Sequence, residues 1–344
     1  MTNGRVPLSV LDLAIVSEGS GTAEALSSTT TLARHVDRLG YLRFWVAEHH
    51  NMPSVASTTP PVLIAHLAAH TERIRVGSGG VMLPNHASLV VAEQFAMLEA
   101  LHPGRIDLGI GRAPGTDGAT AAALRRTRDA FGTEDFPRQL VDLMGLLGDE
   151  RAPEGMWERF TATPVLAGTP TVALLGSSGY SAQLAGMLGL PFVFAHHFDM
   201  GGTFEAFDLY RESFQPSATR EEPYSMVTAN VLVADTAAEA EAQAGPGRMM
   251  LLARHTGRFM PLMSPEAAAA HPQRELAAQV ASNRVVGTVD EVVAKLDDLV
   301  AATGADELMV STVAYEVATR CHSMELLAGA WGLEPAEVSA GAAS

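Results

Sequence analysis

The 344-residue sequence has a single cysteine, Cys321, so no intrachain disulfide can form, in agreement with a reducing compartment. Cys321 lies between Arg320 and His322 in an expected late helix. It reads as a catalytic thiol or as a surface or packing residue. Basic residues are outnumbered: 23 Lys and Arg against 39 Asp and Glu leave a formal charge of −16. Such a surface repels phosphate backbones and sets nucleic acid aside as a partner, while leaving room for one local phosphate pocket. No apolar run approaches the roughly 20 residues that span a bilayer. Residues 1–7 lack the basic and apolar regions of a secretory leader. The expectation is a cytoplasmic protein without a membrane partner. No internal repeat with a period of roughly 20–50 residues is visible.

What is present is core material. Hydrophobic residues make up 47% and charged residues 18% of the chain, enough apolar surface for a large folded domain. Short apolar runs alternate with amphipathic ones. Strands are expected at 8–16, 42–47, from 74 to the Ser78-Gly79-Gly80 segment, and at 105–110, 170–175, 191–195, 224–234 and 308–312. Helices are expected at 23–39, 60–70, 88–101, 134–147, 178–188, 203–214, 236–244 and 318–331. A further helix starts at the capping box Thr288–Glu291. Residues 245–286 fit no period and read as an insertion or mobile loop. Near-continuous apolar strands alternating with helices imply a parallel sheet buried on both faces. Eight such units favour one closed (β/α)8 TIM barrel, with insertions, over residues 1–344.

In that architecture chemistry sits at the C-terminal ends of the strands. Polar and glycine residues gather there: Glu48-His49-His50-Asn51, Gly79-Gly80, Gly111 to Gly115, Gly176 to Ser181 and His196 to Asp199. The Ser177–Ser181 turn opens a helix whose free N–H groups suit an anion, with hydroxyls at Ser178 and Ser181 and a guanidinium at Arg112. The same residues also fit an ordinary helix cap and a surface ion pair. His49 suits a general base near neutral pH, or packing at a strand end with a bond to backbone. Glu48, its neighbour, points to the opposite face of an extended chain, so the two need not touch. Gly109-Ile-Gly111-Arg-Ala-Pro114 fails as a dinucleotide fingerprint because Pro114 replaces the third glycine. His49, His50, His196, His197 and Asp199 could ligate a metal. The first strand lacks a His-x-His pair and the histidines lack zincin spacing, so no metal is assigned. Methionines 249, 250, 260 and 263 read as core filling or as the lining of an adaptable pocket.

Five segments carry a family resemblance: AEHHN (47–51), RIRVGSGGVMLPNH (73–86), AEQFAMLEALHPGRIDLGIGRAPGTD (92–117), LLGSSGYSAQLAGMLGLPFVFA (174–195) and VGTVDEVVAKLDDLVAATGADELMV (286–310). Together they resemble the bacterial luciferase-like monooxygenases over about residues 6–330. The subgroup most resembled contains actinobacterial tailoring oxygenases of polyketide antibiotic pathways. The resemblance implies a barrel that takes reduced FMN from a separate flavin reductase. It implies oxygenation of a small apolar substrate with O2 through a flavin C4a-(hydro)peroxide. His49 matches the catalytic histidine. Gly79-Gly80 matches a non-proline cis peptide beneath the flavin ring, where glycine would let the backbone approach a flat surface. Arg112, Ser178 and Ser181 match ligands of the flavin phosphate. Ser177 and Gly111 stand where luciferase itself has glutamate and cysteine, so light emission from an aldehyde is not implied. Relatives on the same barrel use F420 as dehydrogenases or bind flavin without known turnover, and these are the alternatives. The loops after strands 4 and 7 are expected lids. A homodimer through the helices at 60–70 and 88–101 is also implied.

Overall fold

The computed structural model describes residues 4–125, 135–166, 168–198 and 201–335. Eight parallel strands close into a barrel: β1 (Leu8–Asp12), β2 (Arg43–Val46), β3 (Arg75–Met82), β4 (Ile106–Gly111), β5 (Thr171–Gly176), β6 (Phe192–Phe194), β7 (Ser225–Val233) and β9 (Glu307–Ser311). Pairings of β6 with β7, β7 with β9, and β9 with β1 complete the ring. A short β8 (Val285–Gly287) adds to the end of β7. The expected eighth barrel strand is therefore the ninth strand of the chain. Helices α1 (Thr22–Leu39), α2 (Pro60–Ala69), α3 (Ser88–Leu101), α4 (Gly118–Arg125), α5 (Phe136–Leu146), α6 (Gly179–Met187), α7 (Thr203–Ser213), α8 (Ala237–His255), α9 (Pro265–Ala270), α10 (Arg274–Gln279), α11 (Val289–Thr303) and α12 (Val317–Trp331) make up the rest. This is the (β/α)8 TIM barrel.

Side chains on each strand alternate between the barrel interior and the helix layer. On β1, Leu8 and Val10 join the outer core, and Asp12 binds Arg320 of α12 and Thr29 of α1. Asp12 thus ties the first strand to the last helix. The same pattern puts Phe44 and Val46, Val76, Ile106, Leu108 and Ile110 against the helices.

Inward positions stack in layers, as barrels of this kind require. The lowest is charged. Arg43 donates to Asp107 at 2.8 Å and to Glu307 at 3.0 Å, and Arg75 donates to Asp107 at 2.6 Å. Trp45, Ser9 and Tyr224 add donors at 3.0, 2.5 and 2.5 Å. Burial by itself lowers the Arg43 pKa, but Asp107 and Glu307 outweigh it and push it above its ordinary value. The middle layer is Leu11, Trp45, Ala173, Val193, Met226 and Met309.

Trp45 is fully buried, and its indole, with other barrel atoms, crowds glycines of β3 and β4. A Cβ on Gly77 would lie 2.7 Å from Trp45 Nε1, and one on Gly109 2.1 Å from the Ser78 carbonyl and 3.1 Å from the indole. One on Gly79 would meet Leu11 at 2.7 Å, and one on Gly80 the Gly109 carbonyl at 2.8 Å. The room at Gly79-Gly80 is therefore taken by the barrel's own atoms.

Two further expectations change. The first strand stops at Asp12, not 16, because Ala14 adopts φ 50°, which an L-residue leaves the β region to reach. Residues 245–286 are not loop throughout. Helix α8 runs to His255 straight through Gly245-Pro246-Gly247. Proline removes a helix N–H, yet Ala240, Ala244, Pro246, Gly247 and Met249 form a buried face, and packing outweighs propensity. Met249 and Met263 fill a small core with Leu252, Ala268 and Ala277. The segment then folds back over the barrel: Leu262 donates to the Val16 carbonyl at 2.8 Å and accepts from the Glu18 amide at 2.7 Å. The helix expected at 134–147 is α5, with residue 134 outside the described residues.

The charged layer yields a stability prediction. Asp107→Ala leaves Arg43 and Arg75 short of their shared anion, and breaking a buried pair in this way costs about 3–5 kcal/mol. Urea unfolding should show that loss. A change below about 1 kcal/mol would mean that water enters the lower barrel and replaces the carboxylate.

A candidate active site at the strand C-termini

Glu48 follows β2 and is fully buried. Its carboxylate accepts from His50 Nε2 and His86 Nε2, each at 2.9 Å, from the Met82 amide at 3.0 Å and from Asn85 Nδ2 at 3.4 Å. Burial by itself raises the Glu48 pKa, but the bonds from His86, His50 and the Met82 amide outweigh it and hold the group below its ordinary value. Asn85 also donates to the Pro114 carbonyl at 3.0 Å. One carboxylate thus gathers the loops after β2, β3 and β4.

His49 turns the other way. Its Nδ1 lies 3.1 Å from the Gly115 carbonyl. A carbonyl only accepts, so Nδ1 carries the proton and Nε2 keeps a bare lone pair. Burial lowers the His49 pKa, the Gly115 carbonyl pulls it back up, and the charge of Arg254 lowers it again. His49 is therefore neutral near pH 7, the form in which it can take a proton at Nε2. Gly115 is fitted to this duty. Its φ is +66°, and a Cβ would stand 2.7 Å from the Glu48 carbonyl.

A second histidine stands in the same state. His197, after β6, has Nδ1 at 2.5 Å from Thr228 Oγ1, and that hydroxyl donates to the Phe194 carbonyl. The hydroxyl proton is thus committed, so His197 Nδ1 is the donor and Nε2 is bare. Burial first, then Arg254, His196 and His49, push the His197 pKa down to about 3. Arg254 in the last turn of α8 lies 5.0 Å over the Phe198 ring, which lies 4.3 Å from the His197 ring. Asn283 donates to the His196 carbonyl, so the chain just before β8 is bound to the same corner.

The remaining expected residues fall into two places. The Gly79–Gly80 peptide is cis, and Gly79 pairs with Gly109 of β4. Arg112, half-buried after β4, has its guanidinium 4.2 Å over the Tyr180 ring in the first turn of α6. Ser178 is the N-cap of α6 but caps no backbone amide with its side chain. Its hydroxyl and the first amides of α6 are available to an anion that Arg112 can reach. Ser178 and Ser181 do not share an exposed face: Ser178 is exposed, whereas Ser181 is buried in the space that a Cβ on Gly176 would need.

No group of three or more His, Cys, Asp or Glu side chains is arranged to hold a metal among the described residues. His50 is bound to Glu48, and Asp199 lies outside the described residues. Burial pushes the Cys321 thiol up, away from the reactive thiolate. No helix among the described residues is long and apolar enough to cross a membrane.

Sequence reasoning missed Arg254 and the role of His197. Arg254 sat inside the segment read as irregular. The i, i+4 continuation of α8 past Pro246, through Met249 and Ala253, was the available signal.

Comparison with known proteins follows this geometry. The luciferase-like monooxygenase family profile matches residues 6–307. The uncharacterized protein YvbT of Bacillus subtilis is 46% identical over 329 residues, covering 94% of this chain and 96% of that one. The N-acetyl-S-alkylcysteine monooxygenase of the same organism is 41% identical over 196 residues, 56% of this chain and 57% of that one. The crystal structure of apo-MsnO8 superposes with a TM-score of 0.89 at 40% identity, covering 96% of this chain and 100% of that one.

The histidine environments set a pH dependence of stability. A histidine in the unfolded chain protonates near pH 6.5, whereas His197 in the folded chain protonates only at about 3. The unfolded state therefore binds more protons as pH falls below 6.5, and stability falls with it. His197→Asn keeps a donor for Thr228 and removes the titration. Its loss of stability between pH 7 and 5, read from urea midpoints, should be smaller than that of the parent. Parallel curves would show that His197 takes up its proton as readily in the folded chain.

Proposed function

The chain belongs to the luciferase-like monooxygenase family, and from that premise we propose that it is a monooxygenase dependent on reduced FMN, working at the C-terminal mouth of the barrel. The observation that carries the cofactor is the meeting of Arg112 with the N-terminus of α6. A guanidinium stacked on Tyr180, an uncommitted Ser178 hydroxyl and free helix amides form a cradle for a phosphate monoester. In this reading Arg112, Ser178 and Ser181 hold the phosphate, and the cis Gly79–Gly80 segment lies under the flavin ring. When bound, reduced flavin supplies the electrons that activate O2, and the protein supplies position and shielding.

The chain's own residues then have defined tasks. His49 takes or returns a proton at Nε2, with Gly115 fixing the ring. Glu48 keeps the three loops in register around it. The segment after β7, bound through Leu262 to the loop after β1, keeps water from the mouth. The net reaction consumes O2 and reduced FMN, puts one oxygen atom into the organic substrate and releases the other as water. A separate flavin reductase supplies the reduced FMN. The half-length match to an enzyme named for N-acetyl-S-alkylcysteines makes thioether amino acids one substrate class to test, beside the apolar polyketide-like substrates suggested by the motifs.

FMN titrated into the protein should quench its fluorescence saturably, and Arg112→Met should weaken that binding by roughly tenfold or more, the scale of a charge-assisted contact. His49→Ala should bind FMN as the parent does, yet turn the oxygen consumed with reduced FMN into hydrogen peroxide. Tighter binding of F420 than of FMN, or oxygenation unchanged in His49→Ala, would overturn the reading.

We also propose that the protein works as a homodimer through α2 and α3. Val62, Val90, Met97 and Leu101 are exposed on these adjacent helices, between 47% and 69% of each residue's surface. Grouped apolar exposure of this kind marks a contact surface. Light scattering should give a dimer mass for the parent and a monomer for Met97→Glu. A monomeric parent at micromolar concentration would end the idea.

A further inference from the structure

Arg254 has no task in the flavin reading. It ends α8, where an arginine ordinarily offsets the helix dipole or bonds the last carbonyls. Its guanidinium instead lies 5.0 Å over Phe198, whose ring lies 4.3 Å from that of His197. It forms no ion pair among the described residues. In a chain of net charge −16, an arginine with no carboxylate partner among the described residues stands out at the mouth of the barrel. Arg284, on the chain just before β8, has no ion-pair partner among the described residues either, and its Nη1 fills the space beside Gly247 of α8. Asn283 anchors that stretch to the His196 carbonyl. Two cations therefore flank two histidines that are uncharged near pH 7, in a sector distinct from the Arg112–Tyr180 stack after β4 and β5. Arg112 and the α6 amides already suffice for a phosphate. The second cationic sector lies beside His49, where the reacting part of a substrate would stand.

We infer that Arg254 binds a carboxylate on the organic substrate, next to His49 and His197, so that the substrate is a small organic acid and not an uncharged apolar molecule. The inference rests on the monooxygenase reading for the identity of the substrate, though not for the existence of the anion site. The guanidinium face is covered by Phe198, which leaves the fork's edge for two parallel bonds to one carboxylate. The bare Nε2 atoms of the histidines cannot bond a carboxylate, so the arginine fork is what holds it, and the histidines can accept from N–H or O–H groups elsewhere on the substrate. The local positive field also offsets the repulsion that an acid meets from the rest of the surface.

Three acids, N-acetyl-S-ethylcysteine, phenylacetate and hexanoate, each paired with its methyl ester, test this by calorimetric titration of the full chain, with and without FMN. At least one acid should bind at least tenfold more tightly than its ester. The preference should vanish in Arg254→Met and persist in part in Arg254→Lys. FMN affinity should be unchanged in Arg254→Met. The inference is overturned if no acid outbinds its ester, or if Arg254→Met keeps the preference. It is equally overturned if Arg254→Met loses FMN affinity, since Arg254 would then hold the cofactor phosphate. A parent chain that prefers the acid but binds no FMN would uphold the carboxylate site and remove the flavin reading alone.

Discussion

The buried contact of Arg43 with Asp107 and Glu307 is the constraint on which the rest of the barrel depends. It joins β2 to β4 and β9 through side chains alone, and Arg75 brings in β3. Four strands are thereby held at one height. Because strand residues alternate between two faces, height decides what emerges at the other end. A slip of one residue in β2 would bury His49 toward the helices and present Glu48 to the mouth. The ion pairs add to a net charge of zero, and buried pairs of this kind contribute more to register than to stability. Above them, Trp45 lies in the middle of the barrel and, with Leu11 and the backbone of the neighbouring strands, leaves no room for side chains at Gly77, Gly79 and Gly109.

The mouth is organised by division of labour between adjacent residues. Glu48 faces the loops and takes four donors; His49 faces Gly115 and has no partner for Nε2 among the described residues. His197 repeats the arrangement with a threonine in place of a carbonyl. In each case the partner settles the tautomer, and burial keeps the ring neutral. Arg112 and Arg254 then divide the charge, one on Tyr180 and one on Phe198. Both are stacked on rings, which restrains a long side chain without using its hydrogen bonds.

Much of this was legible from the residues because the strands are buried on both faces. Runs such as LSVLD and RFWV carry that signal, and α3 (Ser88–Leu101) falls on its expected bounds. The strand-end residues were legible by position, since a parallel barrel places them. The charged lower layer was not. Arg43, Asp107 and Glu307 stand far apart in the chain, and each alone looks like an ordinary polar residue at a strand start. Helix α8 was hidden because Pro246 signals a break by local rules, while the burial that overrides it is a tertiary effect. That Ser181 is buried under Gly176 while Ser178 is exposed was not legible, because the three-residue spacing does not say which way the face turns. The contacts of the barrel's own core with the glycines of β3 were not legible, because Leu11, Trp45 and Gly109 reach them only through the fold.

The floor of ion pairs and the tryptophan above it have a kinetic meaning. They fill the lower barrel with packed side chains, so a molecule at the strand C-termini is reached from that end. On the proposed reading, cofactor and organic acid would share that end of the barrel. An acid seated at Arg254 would then slow the exit of whatever lay beneath it.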